Sequence, residues 1–219
     1  MGCWWCCGTV IGWGTNPASI VPEGLSGVIA IDAGRNHNIA LKSDGTVVHW
    51  GDDVTAGFDM TVPDGISDVV ALETYHWTPL ALKSDSTVVA WGYNTYGQLG
   101  IDSTSDKGDG SSGDTMTDLP SIDLGTGRTA TAIDAGGHHT CALLDNASVK
   151  CWGRNHYGQL GIDNATDMGK TSGSMAQLTG INLGTGRTAT AIAAGYYHSC
   201  AILDNASVKC WGWNNYGQL

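Results

Sequence analysis

The chain has 219 residues, of which 32 are glycine and one is phenylalanine, and charged residues make up 14% of it. This composition is typical of short strands joined by tight turns and excludes a bundle of helices rich in Ala, Glu, Lys and Leu. The formal net charge is −11 and only ten residues are Lys or Arg. We therefore expect no nucleic-acid surface, which needs clustered basic side chains. No apolar run reaches the ~20 residues of a membrane-spanning helix, so no membrane partner is expected either.

The dominant feature is an internal repeat. A Trp-Gly pair begins at Trp13, Trp50, Trp91, Trp152 and Trp211. The last four pairs end a common frame, for example "VIAIDAGRNHNIALKSDGTVVHWG" at 28–51 and "ATAIDAGGHHTCALLDNASVKCWG" at 130–153. Repeats of this size indicate a solenoid or a propeller. We expect one repeat domain over 1–219, with units at about 8–27 (partial), 28–68, 69–129, 130–188 and 189–219 (truncated), and a flexible acidic insert at 101–121.

Each unit predicts three antiparallel strands. The first is a β-branched run that ends close to a glycine, as "VIAI" does before Gly34. The second and third flank a hairpin turn that reads "SDG" or "DNAS". In the "DNAS" turns Ala147 and Ala206 stand where glycine would be easier, which predicts a different turn type. A fourth strand is expected in the spacer near 175–183.

The most specific motifs are "WGYNTYGQLG" at 91–100 and "WGRNHYGQLG" at 152–161. With the "AG…H…AL…DG" frame before them, they resemble the regulator of chromosome condensation repeat family. The resemblance covers nearly all the chain outside its first residues and the 101–121 insert. It implies an all-β fold, a β-propeller of repeated antiparallel blades, and about four and a half units predict a partial or incomplete ring. One unit departs from the frame, with "ETYHW" in place of "DAG" and Thr78 in place of histidine.

Four cysteines occupy matching positions in the last two units. Nine residues separate Cys141 from Cys151, and the same spacing separates Cys200 from Cys210. A three-residue loop at 145–147 pairs 141 with 151 at a non-hydrogen-bonded site, where Cα atoms approach to roughly 4.5 Å. The two earlier units replace both positions together. Cross-strand disulfides are the leading interpretation, reduced core thiols are the alternative, and C-x9-C lacks the close spacing of a zinc knuckle. Disulfides would indicate an oxidising compartment, so we expect an extracellular or cell-surface location.

Catalytic chemistry is not indicated by the motifs. The sequence contains neither G-x-S-x-G nor H-E-x-x-H, and we expect no enzyme, no metal and no cofactor. His37, His139 and His198 recur at one frame position, which favours packing or backbone capping, because a catalytic histidine need appear only once. The repeated Trp is interpreted first as a wedge between blades and second as a ligand platform. The "LGTGRTATAI" stretches at 124–133 and 183–192 lack the Lys-Ser/Thr of a P-loop and predict a turn into a strand.

The positions that vary between units are predicted to share one side of the blades. Strand alternation places the residues after "AG" and the residue after "WG" on the same rim. Trp, Tyr, Arg and His are frequent at these positions, and such residues are favoured at interface hot spots. Simple drift of loop residues is the alternative. The predicted partner-binding residues are Arg35, Asn36, Asp52, His76, Trp77, Tyr93, His138, Arg154, Tyr196, Tyr197 and Trp213.

These patterns together predict a non-catalytic repeat scaffold that binds a protein partner through the loops of one rim. A structural or adhesin module of a larger exported protein is the alternative. The family resemblance also implies guanine-nucleotide exchange on a small GTPase, which ranks lower because nothing matches a basic chromatin-binding tail. An enzymatic or lectin-like site in the mouth of the propeller would need a convergent polar cluster that the motifs do not indicate.

Overall fold

The structure is a computed structural model that describes residues 8–15, 17–51, 62, 65–108 and 119–219. In these residues twelve strands form four antiparallel three-stranded sheets, as predicted. The strands are β1 Val28–Ala33, β2 His37–Lys42, β3 Val47–Gly51, β4 Val69–Tyr75, β5 Thr78–Lys83, β6 Val88–Ala90, β7 Ala130–Ala135, β8 His139–Leu144, β9 Val149–Gly153, β10 Ala189–Ala194, β11 His198–Leu203 and β12 Val208–Gly212. A short 3-10 helix covers Pro17–Ser19, and helix α1 covers Ser174–Gln177.

The four sheets are arranged as consecutive blades of a propeller. The first strands of neighbouring sheets, β1, β4, β7 and β10, contact one another in chain order and are therefore the inner strands. The hydrophobic core lies between blades rather than within one: Leu80 of β5, Ala142 of β8 and Trp152 of β9 belong to one buried cluster. The blades formed by the described residues do not close into a ring, which agrees with the predicted partial propeller.

The repeated tryptophan attaches each blade to the preceding unit. Trp152 is fully buried, and its indole N–H donates to the backbone carbonyl of Gln98, 3.0 Å away in the preceding "YGQL" loop. Trp211 makes the same bond to the carbonyl of Gln159 at 2.9 Å. The hydroxyl of Thr140 donates to the Gln98 carbonyl as well, at 2.9 Å. The residue is thus the wedge between blades that the sequence predicted.

The recurring histidine and aspartate bind the blade that follows. His139 is buried, and its Nε2 lies 2.8 Å from the hydroxyl oxygen of Ser199. Asp134 accepts a hydrogen bond from the backbone N–H of Ala194 at 2.9 Å. His37 also contacts the following blade, where its Nε2 lies 2.8 Å from the hydroxyl oxygen of Thr74 on β4. The structural role predicted for the repeated histidine is confirmed at these two positions.

The unit at 69–129 has a tyrosine where the other units have a glycine, and sterics explain why this is possible. A Cβ atom on Gly34 would lie 2.2 Å from the ring of His37, so the histidine requires the glycine before it. In the deviating unit Thr78 replaces the histidine, and Tyr75 can stand where the others have glycine. Strand β4 consequently extends to Tyr75, which pairs with Thr78 across a two-residue loop.

The hairpin turns of the four units are more alike than predicted. Ala147 and Ala206 have φ angles of 60° and 63°, close to the 79° of Gly45 in the first unit. The "DNAS" turns therefore keep the left-handed residue of the "SDG" turn, and the expectation of a different turn type was wrong. An Asx turn supports the strained alanine, because the Asn146 side chain accepts hydrogen bonds from the Ser148 backbone and hydroxyl.

The spacer near 175–183 does not contain the predicted fourth strand. It begins with α1, whose first turn is fixed by the Asp102 carboxylate, which accepts the backbone N–H of Met175 at 2.9 Å. Beyond the helix the chain makes a single backbone hydrogen bond to β9, from Ile181 to Val149 at 2.9 Å. One such bond does not make a ladder.

Asp102 belongs to the insert that was predicted to be flexible over 101–121. Its carboxylate also accepts hydrogen bonds from the Gly173 N–H and the Ser174 hydroxyl, both at 2.8 Å. The beginning of the insert is therefore anchored to the next unit, which corrects the prediction for that part. Residues 109–118 lie outside the described residues.

The cysteine pairs are bonded as the hairpin register predicted. Cys141 lies opposite Cys151, and Cys200 lies opposite Cys210. Each pair forms a disulfide, with Cα atoms 4.1 and 4.0 Å apart. The first disulfide is fully buried, whereas the second is only half-buried in the last described blade.

This difference in burial predicts the order of reduction. In a dithiothreitol titration followed by alkylation and mass spectrometry, Cys200–Cys210 should be reduced first, because reductant reaches it without opening a blade interface. Loss of either bridge should lower the unfolding free energy by about 2–3 kcal/mol. Simultaneous reduction, or earlier labelling of Cys141 and Cys151, would contradict the packing described above.

The blade-to-blade contact of Trp152 can be tested by substitution to phenylalanine. Trp152→Phe should lower the unfolding free energy by about 2 kcal/mol, because a buried hydrogen bond is lost and part of the volume is left unfilled. Trp13 is 83% exposed, so Trp13→Phe is the matched control and should change stability by less than about 0.5 kcal/mol. Urea unfolding followed by circular dichroism measures both; equal midpoints for the two variants would argue against the wedge.

Candidate protein-binding rim

The rim begins at the loops between the first and second strand of each blade. In three units the residue after "WG" donates a backbone hydrogen bond to the carbonyl of the second residue of that loop. These bonds join Tyr93 to Trp77 (2.9 Å), Arg154 to His138 (2.8 Å) and Trp213 to Tyr197 (2.9 Å). The two groups of positions predicted to share a rim are therefore in direct contact.

The glycine of the Trp-Gly pair makes this contact possible. Gly153 has a φ of 103°, and a Cβ atom there would lie 2.6 Å from the carbonyl oxygen of His138. Only glycine combines this backbone angle with so close an approach. The frame thus fixes the backbone of the rim and leaves the flanking side chains free to vary.

The structure brings most of the predicted rim residues together. Arg35 on the first described blade is exposed and Asn36 is half-buried. Asp52 lies outside the described residues. The other eight residues meet in a continuous group of rings and guanidinium groups from three blades. We call its ring-bearing members the aromatic rim: Tyr75, His76, Trp77, Tyr93, Tyr96, His138, His156, Tyr157, Tyr196, Tyr197, Trp213 and Tyr216.

The centre of the aromatic rim is formed by residues of different blades. The ring of His76 lies 3.8 Å from that of Trp77, 4.9 Å from that of His138 and 5.6 Å from that of Tyr196, measured between centroids. Tyr93 lies 5.8 Å from Trp77 and 6.0 Å from His138. Most of these contacts are edge-on, the geometry that aromatic pairs prefer.

A second part of the aromatic rim lies on the last two described blades. Tyr197 is 5.0 Å from Tyr157 and 5.7 Å from Trp213, and Trp213 is 5.2 Å from Tyr216. Tyr196 and Tyr197, 4.3 Å apart, connect the two parts. Tyr157 and Tyr216 are 43% and 84% exposed, so this part offers aromatic surface to solvent.

Five members of the aromatic rim were not among the predicted residues: Tyr75, Tyr96, His156, Tyr157 and Tyr216. Three of them are the tyrosine of the repeated "YGQL" motif. Because this tyrosine recurs in the last three units, it reads as part of the frame and not as part of a variable surface. Its position three residues after the varying "WG" neighbour is the signal that could have found it.

Two predicted binding residues form the base of the surface instead. His76 and His138 are only 5% and 8% exposed. Burial, and then the charge of Arg35, lowers the pKa of His76 to about 4. Burial, and then His76 and Arg154, lowers the pKa of His138 to about 4. Both imidazoles are therefore neutral at physiological pH and support the exposed rings around them.

A cleft of about 500 Å³ opens beside the aromatic rim. Its lining includes Arg35 from the first described blade, Tyr75 and His76 from the second, and Tyr196 from the fourth. Tyr75 and Tyr196 are in edge-on contact at 6.0 Å. The cleft thus combines aromatic walls with one cationic group, and the replacement of glycine by Tyr75 supplies one of the walls.

Three carboxyl groups occupy equivalent positions on the inner strands. Each of these carboxyl groups belongs to the fifth residue of its inner strand, and that residue pairs with the third residue of the second strand. The three residues are Asp32, Glu73 and Asp134. Burial, together with the charges of Asp134 and Asp32, raises the pKa of Glu73 to about 8. Burial also raises the pKa of Asp134 to about 6. The inner strands below the rim therefore carry less negative charge at neutral pH than their residue types indicate.

The described residues contain no group of three or more His, Cys, Asp or Glu side chains placed to hold a metal ion. Among the helices in the described part of the chain, none has the length and apolar character needed to cross a membrane.

Comparison with known families identifies the repeat. Family models of the regulator of chromosome condensation (RCC1) repeat match residues 28–55, 85–143, 130–159 and 189–218. The matches cover more than half of the chain and include strands of all four blades. The chain belongs to the RCC1-repeat family of β-propellers.

Individual relatives agree with this assignment. The ultraviolet-B receptor UVR8 of Arabidopsis thaliana is 30% identical over 204 residues, which are 88% of this chain and 43% of the receptor. Protein pim1 of Schizosaccharomyces pombe is 26% identical over 87% of this chain and 28% of its own length. The crystal structure of Prp20p from Saccharomyces cerevisiae superposes with a TM-score of 0.67 at 21% identity, over 85% of this chain and 45% of Prp20p. The chain therefore spans less than half the length of these relatives.

The raised pKa of Glu73 predicts a pH dependence of stability. Its pKa is about 8 in the folded chain and near 4.5 when unfolded, so the folded state binds more protons between these values, and Glu73 lowers stability as pH rises through this window. Glu73→Gln removes this effect. The variant should be as stable as wild type near pH 5 and more stable above pH 8, in urea unfolding at each pH. The exposed Glu23 provides the control, because Glu23→Gln should keep the wild-type dependence. If Glu73→Gln kept it too, burial of this carboxyl would be refuted.

Proposed function

We propose that the chain is a non-catalytic repeat scaffold that binds a protein partner through the aromatic rim. The supporting observation is that the residues that hold the blades together are different from the residues that form the rim. The buried Trp and His of the repeat bind neighbouring blades, as Trp152 and His139 do, and the buried Asn holds its own loop, as Asn94 does. The residues that vary between units gather at one end of the propeller, where the recurring Tyr157 and Tyr216 add exposed aromatic surface.

The chemistry of the aromatic rim suits protein recognition. Trp and Tyr provide a large contact area with only two side-chain torsions to restrict, and with Arg they dominate interface hot spots. Here the rings already pack against one another, as Tyr197 does against Tyr157 and Trp213. Restricted rotamers reduce the entropy lost when a partner binds.

Relatives with the same fold support the kind of partner. Prp20p has been characterised for its binding to Gsp1p and histones, and has been crystallised bound to Kap60. Identities of 21–22% establish the shared fold alone, so the proposal takes from these proteins the class of partner and not its identity. The two disulfides support a site of action in an oxidising compartment, outside the cell or on its surface.

Substitutions in the aromatic rim test the proposal. Tyr197→Ala and Trp213→Ala should each weaken capture of a protein partner by at least about 30-fold, which is about 2 kcal/mol of binding free energy. Both side chains lie on loops after the strands end, so circular dichroism and the melting temperature should remain close to wild type. Binding is measured by quantitative affinity purification and by biolayer interferometry with the captured protein.

The matched control is Val208→Ala on the same blade. Val208 is 64% exposed but lies on β12 outside the aromatic rim, so the same kind of truncation should leave capture unchanged. Equal capture by wild type, Tyr197→Ala and Trp213→Ala would end the proposal. So would a loss of capture that Val208→Ala reproduces.

A further inference from the structure

The four arginines of the chain are divided into two pairs with different surroundings. Arg128 and Arg187 lie at the end of the blades opposite the rim, where they pair with Asp145 at 3.3 Å and Asp204 at 3.5 Å. Arg35 and Arg154 lie at the rim. Within the described part of the chain, neither of these two has a carboxylate within ion-pair distance.

Arg35 is held at the edge of the cleft by neutral partners. Its Nη1 lies 3.1 Å from Nε2 of His76, and its guanidinium carbon lies 5.8 Å from the ring centre of Trp77. A guanidinium has five N–H donors in one plane. The imidazole accepts one of them and the indole approaches the cation without accepting a conventional hydrogen bond, so several donors remain for a ligand.

Arg154 is held in a similar way at the other part of the aromatic rim. Its guanidinium carbon lies 4.8 Å from the ring centre of Tyr96 and 5.6 Å from that of Tyr197. Its Nη2 lies 3.3 Å from Nδ1 of His156. Stacking against aromatic rings orients the guanidinium without neutralising its charge. A pre-oriented, uncompensated guanidinium binds a carboxylate with two parallel hydrogen bonds.

The groups around the two arginines keep the rim cationic at neutral pH. His76 and His138, which lie between them, remain neutral and add no charge because burial lowers their pKa to about 4. Below them, Glu73 and Asp134 on the inner strands have raised pKa values, which reduces the negative charge there at neutral pH. Among the predicted rim residues that the structure describes, the charged groups at neutral pH are then Arg35 and Arg154. Two of the four arginines in a chain of net charge −11 thus lie at one rim, with no carboxylate of the described residues in ion-pair distance.

We infer that the aromatic rim recognises an acidic segment of its protein partner, in which Asp or Glu carboxylates bind Arg35 at the cleft and Arg154 beside Tyr197. This inference rests on the proposed function and names the chemistry of the partner. Apolar or aromatic side chains of the same segment pack against the exposed rings, and the carboxylates supply specificity. Because both arginines lie at the edge of the surface, the ion pairs are sensitive to salt.

A random 12-residue peptide library displayed on phage tests the inference with the disulfide-bonded chain as bait. Peptides enriched on wild type should be rich in Asp and Glu next to aromatic or aliphatic residues. Synthetic copies are then titrated by fluorescence polarisation. Arg35→Gln and Arg154→Gln should each weaken their binding by about tenfold or more, which is about 1.4 kcal/mol. Added salt should weaken wild-type binding and have little effect on a double variant.

The chain supplies matched controls in its other two arginines. Arg128→Gln and Arg187→Gln remove the same charge from the opposite end and should leave peptide binding unchanged. Arg35→Lys and Arg154→Lys keep the charge without the planar donors, and they should retain part of the affinity if the fold is intact. Equal losses in all four glutamine variants would show an effect of net charge and overturn the inference.

The remaining outcomes separate this inference from the proposed function. Enriched peptides that are neutral or basic, and that lose binding in Trp213→Ala, would leave a protein-binding rim and overturn acidic recognition. Enriched peptides that are unaffected by Trp213→Ala, or no enrichment at all, would overturn both. A labelled single-stranded oligonucleotide completes the test: binding that requires Arg35 and Arg154 would assign the anion to nucleic-acid phosphate and overturn recognition of carboxylates.

Discussion

The hydrogen bond from a buried indole to the carbonyl of the preceding unit is the contact on which the rest of the structure depends. Trp152 reaches the carbonyl of Gln98, which Thr140 also binds. The loop that presents this carbonyl is held by the buried Asn94, whose side chain accepts the Leu99 N–H and donates to the Ser103 carbonyl. A blade is therefore completed by the loop of its neighbour. No unit can bury its own tryptophan, and this explains why the same unit is repeated with so few changes.

This dependence separates the residues that form the fold from those that form the surface. The tryptophan and histidine point between blades, and the asparagine holds the loop that presents the carbonyl. A change at any of them would leave a buried polar group without a partner. The two residues after "AG" and the one after "WG" lie beyond the last ladder bonds, and their backbones are fixed by the bond between them, as in Arg154 and His138. Most of their side chains can change without disturbing a blade interface; Gly137 is an exception, because a Cβ there would lie 2.6 Å from the carbonyl oxygen of Tyr196 in the next blade. Variation concentrated on one rim is the expected result.

The sequence was sufficient for the blades, because period, strand alternation and turn length act locally. The cysteine register followed from a three-residue loop, and the shared rim followed from the up-and-down course of the strands. The sequence could not show that His76 and His138 lie beneath the surface, because their burial depends on rings from neighbouring blades. It also did not indicate that Tyr96 and Tyr157 belong to the rim, since a residue that recurs in the frame is interpreted as structural. The missing fourth strand has a similar cause: Asp102, far away in the chain, starts a helix where local propensity favoured a strand.

In the deviating unit, 69–129, the loss of a contact between blades is linked to the gain of a surface residue. Elsewhere the histidine binds the next blade and requires a glycine before it, as His37 requires Gly34. With Thr78 in its place, the hydroxyl donates to the carbonyl of Tyr93 in its own blade, at 3.2 Å. The loss of one polar contact between blades costs about 1 kcal/mol, a loss that the large hydrophobic cluster between these two blades can offset. The glycine is then unnecessary, and Tyr75 takes its position and becomes a wall of the cleft beside Arg35. The replacement of the histidine by Thr78 removes a contact between blades. The same departure from the repeat allows Tyr75 to form a wall of the cleft, which is shaped to receive a ligand.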